Sequence, residues 1–367
     1  MKVVRVLNIL TGGILNDGIT NFAIRHLCKL NSKEMTIDFA SFKIEESVRK
    51  KIISENIEVY DLPNRKRVIK YIIFLSKFIR NRHYDIIHVH GSSSIMCIEM
   101  IAGILGGCKI RISHSHNTTS RHLFFHALLK PIFNLTYTDA VACGKDAGKW
   151  LFGKKDFTIL KNALDIDKFK YNEKIRKKYR NELSVDNKIL LGMVGTYNYQ
   201  KNHDFLIDIF VKLNINKKYK LILFGDGGDL KESILKKIHD LKLEDDIIVK
   251  GNVNNIYDYI QACDIMLLPS KYEGFPNVVI EWQAANLPCI ISDKITKDVK
   301  LTDLVKFESI DNGVDNWIDA INNTNIKDRK INQQEVLKKI IDNGFELNCN
   351  VNYIKNYYNK LINERKK

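Results

Sequence analysis

The sequence predicts an α/β protein built as two domains, each a mainly parallel sheet covered by helices on both faces. Three observations lead there. The chain is 367 residues long, and domains of roughly 100–200 residues make two cores more natural than one. Short apolar, β-branched runs alternate with helical stretches, and the runs are too uniformly apolar to have a wet face. The alternation stops in the polar stretch 171–188 and begins again at residue 189.

In the first half, residues 3–10 form a β-branched strand ending at Thr11-Gly12-Gly13, and residues 21–30 read as a helix. Residues 36–42 give a second strand, followed by a polar helix and a short strand at 57–62. Residues 68–79 have helical spacing, 85–90 is a strand, 95–105 is helical, and 109–114 and 140–143 are strands. In the second half, strands fall at 189–194, 220–224, 247–250, 265–268 and 289–292. Helices fall at 203–213, 230–241, 256–262 and 277–285. The stretch 171–188, helical over 174–183, is the expected hinge, which gives domains 1–170 and 185–345. The tail from 333 is helical. Its last part, 351–367, is expected to complete the first domain, because a free helix of that length is marginal in water.

Composition removes several classes. A hydrophobic share of 45% excludes a disordered chain, and five prolines with 19 glycines exclude a fibrous one. The seven cysteines are scattered without CxxC spacing, which argues against a disulfide framework or a cysteine-rich zinc site and fits a reducing cytosol. The first ten residues lack a signal peptide's long apolar core, and the apolar stretch 94–107 is interrupted by Glu99 and too short to cross a bilayer. A cytoplasmic protein, soluble or peripheral on the inner face of the cell membrane, is expected. The net charge of +15 suits a polyanion or an anionic membrane and chooses neither.

The most informative stretch is 269–281. A buried strand feeds a loop with Glu273 and Gly274, then a helix starting around Pro276 or Asn277. Gly274 permits close backbone approach, and Pro276 suits a helix start because its missing N–H needs no partner. The free N–H groups of that first turn make an anion site suited to a diphosphate. Glu281 falls about one turn inside, where its carboxylate can meet two vicinal hydroxyls. A second reading has Glu273 capping the helix and Glu281 facing water, and the residues alone leave both open.

This stretch resembles the signature of the retaining glycosyltransferases of the GT-B, family 4 type, which build bacterial exopolysaccharide, capsule and lipopolysaccharide. Glu273 and Glu281 match that family's Glu-x7-Glu motif. The resemblance runs through Gly12-Gly13, the segments 85–91 and 111–117, Asn162-Ala163-Leu164-Asp165, the segment 195–202, Gly225-Asp226-Gly227 and the segment 262–270. It implies two Rossmann-like domains with parallel sheets facing across a cleft, and a nucleotide-sugar donor, expected to be UDP-linked. The implied acceptor is a growing or polyprenyl-diphosphate-linked glycan.

By the same resemblance, Glu273 contacts the transferred sugar, Glu281 the ribose, and Lys201 the diphosphate. His116 matches the first-domain histidine beside the reacting sugar. Gly12, Gly13, Thr196, Gly274, Phe275, Pro276, Asn277 and Val278 complete the donor set. The family is described by a front-face route in which the leaving diphosphate helps deprotonate the incoming hydroxyl, and no metal or other cofactor is expected.

Two positions depart from the family pattern. Thr196 stands where an Arg is common, which removes one cationic contact. Asn286 stands where a Gly is usual, and Asn tolerates the left-handed conformation that a turn there needs.

His88 with His90, and His114 with His116, share strand faces. Four imidazoles at neighbouring strand ends can form a zinc site, but no acidic or cysteine ligand lies at matching spacing, and core hydrogen bonding fits His88 and His114 better. The segment 65–82 holds seven basic residues and no acidic one. Lys66, Lys70, Lys77 and Arg80 form one helical stripe, and Val68, Ile72, Leu75 and Ile79 another. The basic stripe suits anionic headgroups, and a core-packed helix with a solvated face is equally compatible. Two other functions stay open: a nucleotide-sugar epimerase on the same plan, and a non-catalytic polyanion-binding protein. Nucleic acid is not expected, because no helix-turn-helix, RNP-like or zinc-finger pattern occurs.

Overall fold

In the computed structural model, which describes residues 3–120, 122–326 and 328–366, contacts divide the chain into two units. The first comprises residues 1–164 and 347–367, the second residues 165–346. Each is a parallel sheet wound on both faces.

The first unit holds β1 (Val4–Leu10), β2 (Met35–Ser41), β3 (Glu58–Asp61), β4 (Ile86–Gly91), β5 (Ile110–Ser115), β6 (Asp139–Ala142) and β7 (Thr158–Ile159) in the order β3-β2-β1-β4-β5-β6-β7. The chain moves outward from β1 to β3, then returns to lay β4 on the other side of β1. This reversal leaves a crevice beyond the carboxyl ends of β1 and β4, where loops diverge and ligands bind in such sheets. On one face, helices Gly18–Leu27, Glu46–Ile53 and Leu347–Lys366 cover a core of Val6, Leu10, Ile37, Phe39 and Ile112. On the other, helices Val68–Asn81, Cys97–Leu105, Leu123–Thr136 and Lys145–Phe152 cover Leu7, Ile9, Ile87 and Val89. The two sets alternate along β1, as the two-residue repeat of a strand requires.

The second unit contains β8 (Ile189–Val194), β9 (Tyr219–Phe224), β10 (Ile247–Gly251), β11 (Ile265–Leu268), β12 (Cys289–Ser292) and β13 (Val305–Glu308), ordered β10-β9-β8-β11-β12-β13. The same reversal falls between β8 and β11.

Most expected elements occur within a residue or two. The differences have physical causes. The first helix begins at Gly18, three residues early, because the Asp17 side chain accepts from the Thr20 N–H at 2.8 Å and caps it. Helix Leu123–Thr136 was not expected. It carries Pro131 inside and apolar residues around most of its circumference, so it shows no 3.6-residue stripe. Helices Lys145–Phe152 and Asp315–Asn322, with β7 and β13, were also not expected. Within the stretch 171–188, helix Glu173–Glu182 forms where 174–183 is expected to be helical, tied within the second unit by Arg176 and Arg180, which both pair with Asp264. The tail breaks at Gly344 (φ 73°) into helices Gln333–Asp342 and Leu347–Lys366. The second of these buries Val351, Ile354, Tyr358 and Leu361 in the first unit's core.

Candidate functional site

In the second unit, the loops after β8 and β11 leave adjacent strand ends at the sheet's reversal, and they are stitched together. Lys271 N donates to Gln200 O at 2.8 Å, and Asn202 Nδ2 donates to Pro269 O at 3.1 Å. These bonds bring Lys201 onto Glu273, with Nζ to Oε1 at 2.7 Å, while Gln200 Nε2 donates to Oε2 at 2.9 Å. The ion pair is sheltered: the Lys201 and Glu273 side chains are 17% and 7% exposed. An ammonium has three protons and a carboxylate about four lone-pair sites, so each partner keeps bonding capacity beyond this pair.

The floor under Lys201 explains two glycines. A Cβ on Gly195 would meet the Lys201 side-chain carbons at 3.0–3.2 Å, and one on Gly225 (φ 132°) would strike Gly195 O at 2.1 Å. Nothing larger than glycine fits at 225 without lifting the loop that carries Lys201.

Helix Asn277–Ala284 follows Glu273 with Pro276 as its cap residue, so the start lies where the sequence places it. Glu281 is the fifth residue of that helix and half-buried. Gly274, Phe275, Asn277 and Val278 are likewise half-buried, and Phe275 stacks on Phe345 with centroids 5.5 Å apart. Ser270 Oγ and Asn277 Oδ1, which flank the Glu273 loop, are buried without a hydrogen-bond partner. Buried polar atoms are normally satisfied, so two orphans here mark a place with bonds left to make.

Thr196 is exposed, and its hydroxyl accepts from Asn198 Nδ2 at 3.0 Å, shaping the turn whose Asn198 Oδ1 receives the Lys201 N–H at 3.0 Å. Asn286 adopts φ 51°, as its residue type allows, and its Nδ2 donates to Arg329 O at 2.6 Å and Ile331 O at 2.8 Å. An Asn thus makes the turn and also anchors a neighbouring segment, which a glycine cannot do.

Sequence reasoning passed over Gln200, Asn202 and His203. His203 opens the next helix, stacks on Tyr197 at 4.4 Å, and is held down to a pKa of about 4 by burial and by the nearby Lys201 charge. The Gln-Lys-Asn sequence carried the signal for the first two.

In the first unit, Gly12 and Gly13 follow β1 at the other reversal. Gly13 needs its residue type (φ 111°), whereas a Cβ on Gly12 would meet nothing within 4 Å. Beside them lie four histidines in two hydrogen-bonded pairs. His88 Nε2 lies 3.1 Å from His114 Nδ1, and His90 Nδ1 lies 3.0 Å from His116 Nε2. The rings also stack, with His88 on His90 at 4.2 Å and His114 against His116 at 3.9 Å. Tyr358 Oη reaches His88 Nδ1 at 2.6 Å, and Asn8 Oδ1 lies 3.5 Å from His90 Nε2. Burial is the first cause that keeps all four neutral. His88 and His116 fall to about 3, and His90 and His114 well below the ordinary imidazole value. Ring nitrogens of His88, His90 and His114 lie within 4.8 Å of one another, a spacing that can hold a metal ion. The His88 and His114 nitrogens are already bonded to each other.

Residues 174–336 match the family Glycosyl transferases group 1. EpsF of Bacillus subtilis (strain 168) is 26% identical over 379 residues, 97% of this chain and 96% of EpsF. The UDP-Gal:alpha-D-GlcNAc-diphosphoundecaprenol alpha-1,3-galactosyltransferase of Escherichia coli is 25% identical over 317 residues, 80% of each chain. Among solved structures, Anabaena HepE in complex with UDP superposes with a TM-score of 0.81 at 17% identity, over 97% of this chain and 100% of that one. The GT-B type of fold is therefore this chain's fold.

Proposed function

We propose that the chain, which has the GT-B fold and matches the group 1 glycosyltransferase family over residues 174–336, is itself a glycosyltransferase that transfers a hexose or N-acetylhexosamine from a UDP-sugar to a surface-glycan intermediate. The products keep the donor's anomeric configuration, and the acceptor is a growing or polyprenyl-diphosphate-linked glycan. The observation that carries this reading is the sheltered Lys201–Glu273 pair at the strand ends, next to the start of helix Asn277–Ala284. The relatives support it: HepE is described in complex with UDP and with UDP-glucose, and the E. coli relative acts on a diphosphoundecaprenol-linked sugar.

The roles follow from what each group has left to offer. The remaining Lys201 protons and the first-turn N–H groups of helix Asn277–Ala284 receive the diphosphate, whose negative charge grows as the glycosidic bond breaks. Glu273, fixed by Lys201 and Gln200, accepts from hydroxyls of the transferred sugar. Glu281 accepts from the ribose hydroxyls. Neutral His116, paired with His90, bonds a sugar hydroxyl without bringing positive charge beside the cleaving bond. Gly12, Gly13, Thr196, Gly274, Phe275, Pro276, Asn277 and Val278 shape the donor's surroundings.

In the step itself the anomeric carbon loses its bond to the diphosphate oxygen and gains one, on the same face, to the acceptor oxygen. The acceptor's proton passes to the departing diphosphate. Metal chemistry is not part of the proposal. No helix among the described residues is long and apolar enough to cross a membrane, and the proposed place of work is the cytoplasmic membrane face, where a lipid-linked acceptor resides.

A panel of UDP-sugars read by thermal shift, then turnover with the best donor, tests the reading. A ligand at a hundred times its Kd should stabilise the protein by about 2.7 kcal/mol. Donor-dependent glycoside with retained configuration is the expected product. An altered nucleotide sugar formed without acceptor would make the chain an epimerase. Full activity in a Lys201→Ala, Glu281→Ala double variant would end the residue assignment.

A further inference from the structure

The first unit carries an unusual outer surface on the helix layer formed by Val68–Asn81, Cys97–Leu105 and Leu123–Thr136, which pack side by side in that order. A soluble helix turns its apolar stripe to the core and its polar side to water. Here the outward side is also apolar. On Leu123–Thr136, Phe124 is 73% exposed and Leu135 83%, with Phe125, Leu128 and Ile132 on the same helical stripe. On Val68–Asn81, Ile69 is 76% exposed, and Ile73 and Phe74 are exposed with it. Ile104 and Leu105 lie at the end of the helix between them. This corrects the two-stripe reading: Tyr71, Leu75 and Ile79 face the core, while Val68, expected on the apolar stripe, faces out.

The three helices carry basic side chains and a single acid, Glu99. Between residues 62 and 138 the sequence has eleven Lys and Arg but only two acids, Asp85 and Glu99. Glu99 is buried and neutralised by Arg65, with Nε to Oε1 at 2.6 Å and Nη2 to Oε2 at 2.8 Å. Arg80 bonds Leu105 O, and Arg82 stacks over Tyr60 at 4.3 Å. Lys66, Arg67, Lys70 and Lys77, on or just before helix Val68–Asn81, are exposed beside the outward apolar side chains.

We infer that this three-helix layer is a membrane-docking face. Phe124, Leu128, Leu135 and Ile69 insert among acyl chains, and Lys66, Arg67, Lys70 and Lys77 meet anionic headgroups. The combination selects the partner. A nucleic acid matches the lysines but offers nothing to outward Phe and Leu, whereas an anionic bilayer surface satisfies both. Large apolar patches on soluble chains mark interaction surfaces. The inference rests on the proposed place of work at the membrane face and names the surface that docks there, and it can fail without the donor assignment failing.

The test is co-sedimentation of the full chain with vesicles of phosphatidylcholine containing about 30% phosphatidylglycerol. Wild type should partition strongly, and much less so to pure phosphatidylcholine. A Phe124→Glu, Leu128→Glu variant should lose about 100-fold in partition coefficient. A Lys70→Gln, Lys77→Gln variant should lose about 30-fold, and high salt should also weaken wild type. Ile215→Glu, an exposed apolar site in the second unit, should change nothing. Because all these side chains are exposed, thermal unfolding and UDP-sugar binding in solution should stay as in wild type. The inference is overturned if wild type ignores the anionic vesicles or if the folded Phe124→Glu, Leu128→Glu variant binds them equally well. It is also overturned if the patch instead mediates a lipid-independent dimer that this variant dissolves, or duplex DNA binding that it abolishes.

Discussion

Replacing Lys201 by Met removes one charge from a sheltered pair and leaves a carboxylate that is 7% exposed, with Gln200 as its remaining bonded partner in that pair. Breaking a fully buried ion pair from one side costs roughly 3–5 kcal/mol. Gln200 still bonds one oxygen, and the site is not wholly dry, so about 2–3 kcal/mol is the expected loss here. For a unit of this size that is a fall in Tm of about 5–10 °C. Removing both charges, as in Lys201→Met with Glu273→Gln, should be less destabilising than the sum of the singles by at least about 1 kcal/mol.

Catalysis should respond differently. The ammonium is assigned to charge that develops on the leaving diphosphate, and losing one such contact costs about 100- to 1,000-fold in kcat. The assay is initial rate against donor concentration at a temperature well below the variant's Tm, so that unfolding does not enter. Adding Glu273→Gln should recover stability without recovering kcat. If the single variant keeps kcat within about fivefold of wild type, Lys201 does not act on the leaving group and the pair is only structural.

Other outcomes follow from the same geometry. Glu281→Ala should weaken UDP binding by about 10- to 150-fold, the value of one charge-assisted bond, measured by calorimetry. Unchanged affinity would place Glu281 away from the nucleotide. Asn286→Gly and Asn286→Ala should both lose about 1–3 kcal/mol with the two bonds to residues 329 and 331, and the Ala variant about 1 kcal/mol more because only Gly matches the left-handed φ. Equal stabilities by denaturant titration would remove the backbone argument. The chain should also be acid-labile. His26, His88 and His116 are lowered to about 3 by burial, and His90 and His114 are lowered with them. The unfolded chain binds their protons first, so stability is full above pH ~6.5 and is lost as pH falls from there toward 3, at up to about 1.4 kcal/mol per pH unit for each imidazole. A flat stability between pH 7 and 5 would contradict the buried neutral array.

The elements that were legible in the sequence are those whose signal is local. Helix His203–Leu213 and strands Ile265–Leu268 and Cys289–Ser292 occur where periodicity and turn residues place them. Helix Leu123–Thr136 was not legible because its internal proline and all-round apolarity erase the stripe on which such readings depend. The position of Glu273 and Lys201 could be read as a motif, yet they lie 72 residues apart in sequence and meet at 2.7 Å only because β8 and β11 are neighbours. Gln200 is marked by its place beside Lys201, but its bond to the same carboxylate depends on the same neighbouring strands.

By itself, then, the chain's residue order determined two wound α/β units and a glutamate-bearing loop running into a helix, because strand and helix periods, turn residues and helix-start chemistry act over a few neighbouring residues. Tertiary structure alone decided what those residues face. It made Arg65 the partner of buried Glu99, gathered four histidines into a neutral stack closed by Tyr358 from the far end of the chain, and turned Phe124, Leu128 and Leu135 outward. Each of these depends on which strands lie side by side and on which helices cover them, and therefore on burial and charge pairing between residues that local sequence cannot bring together.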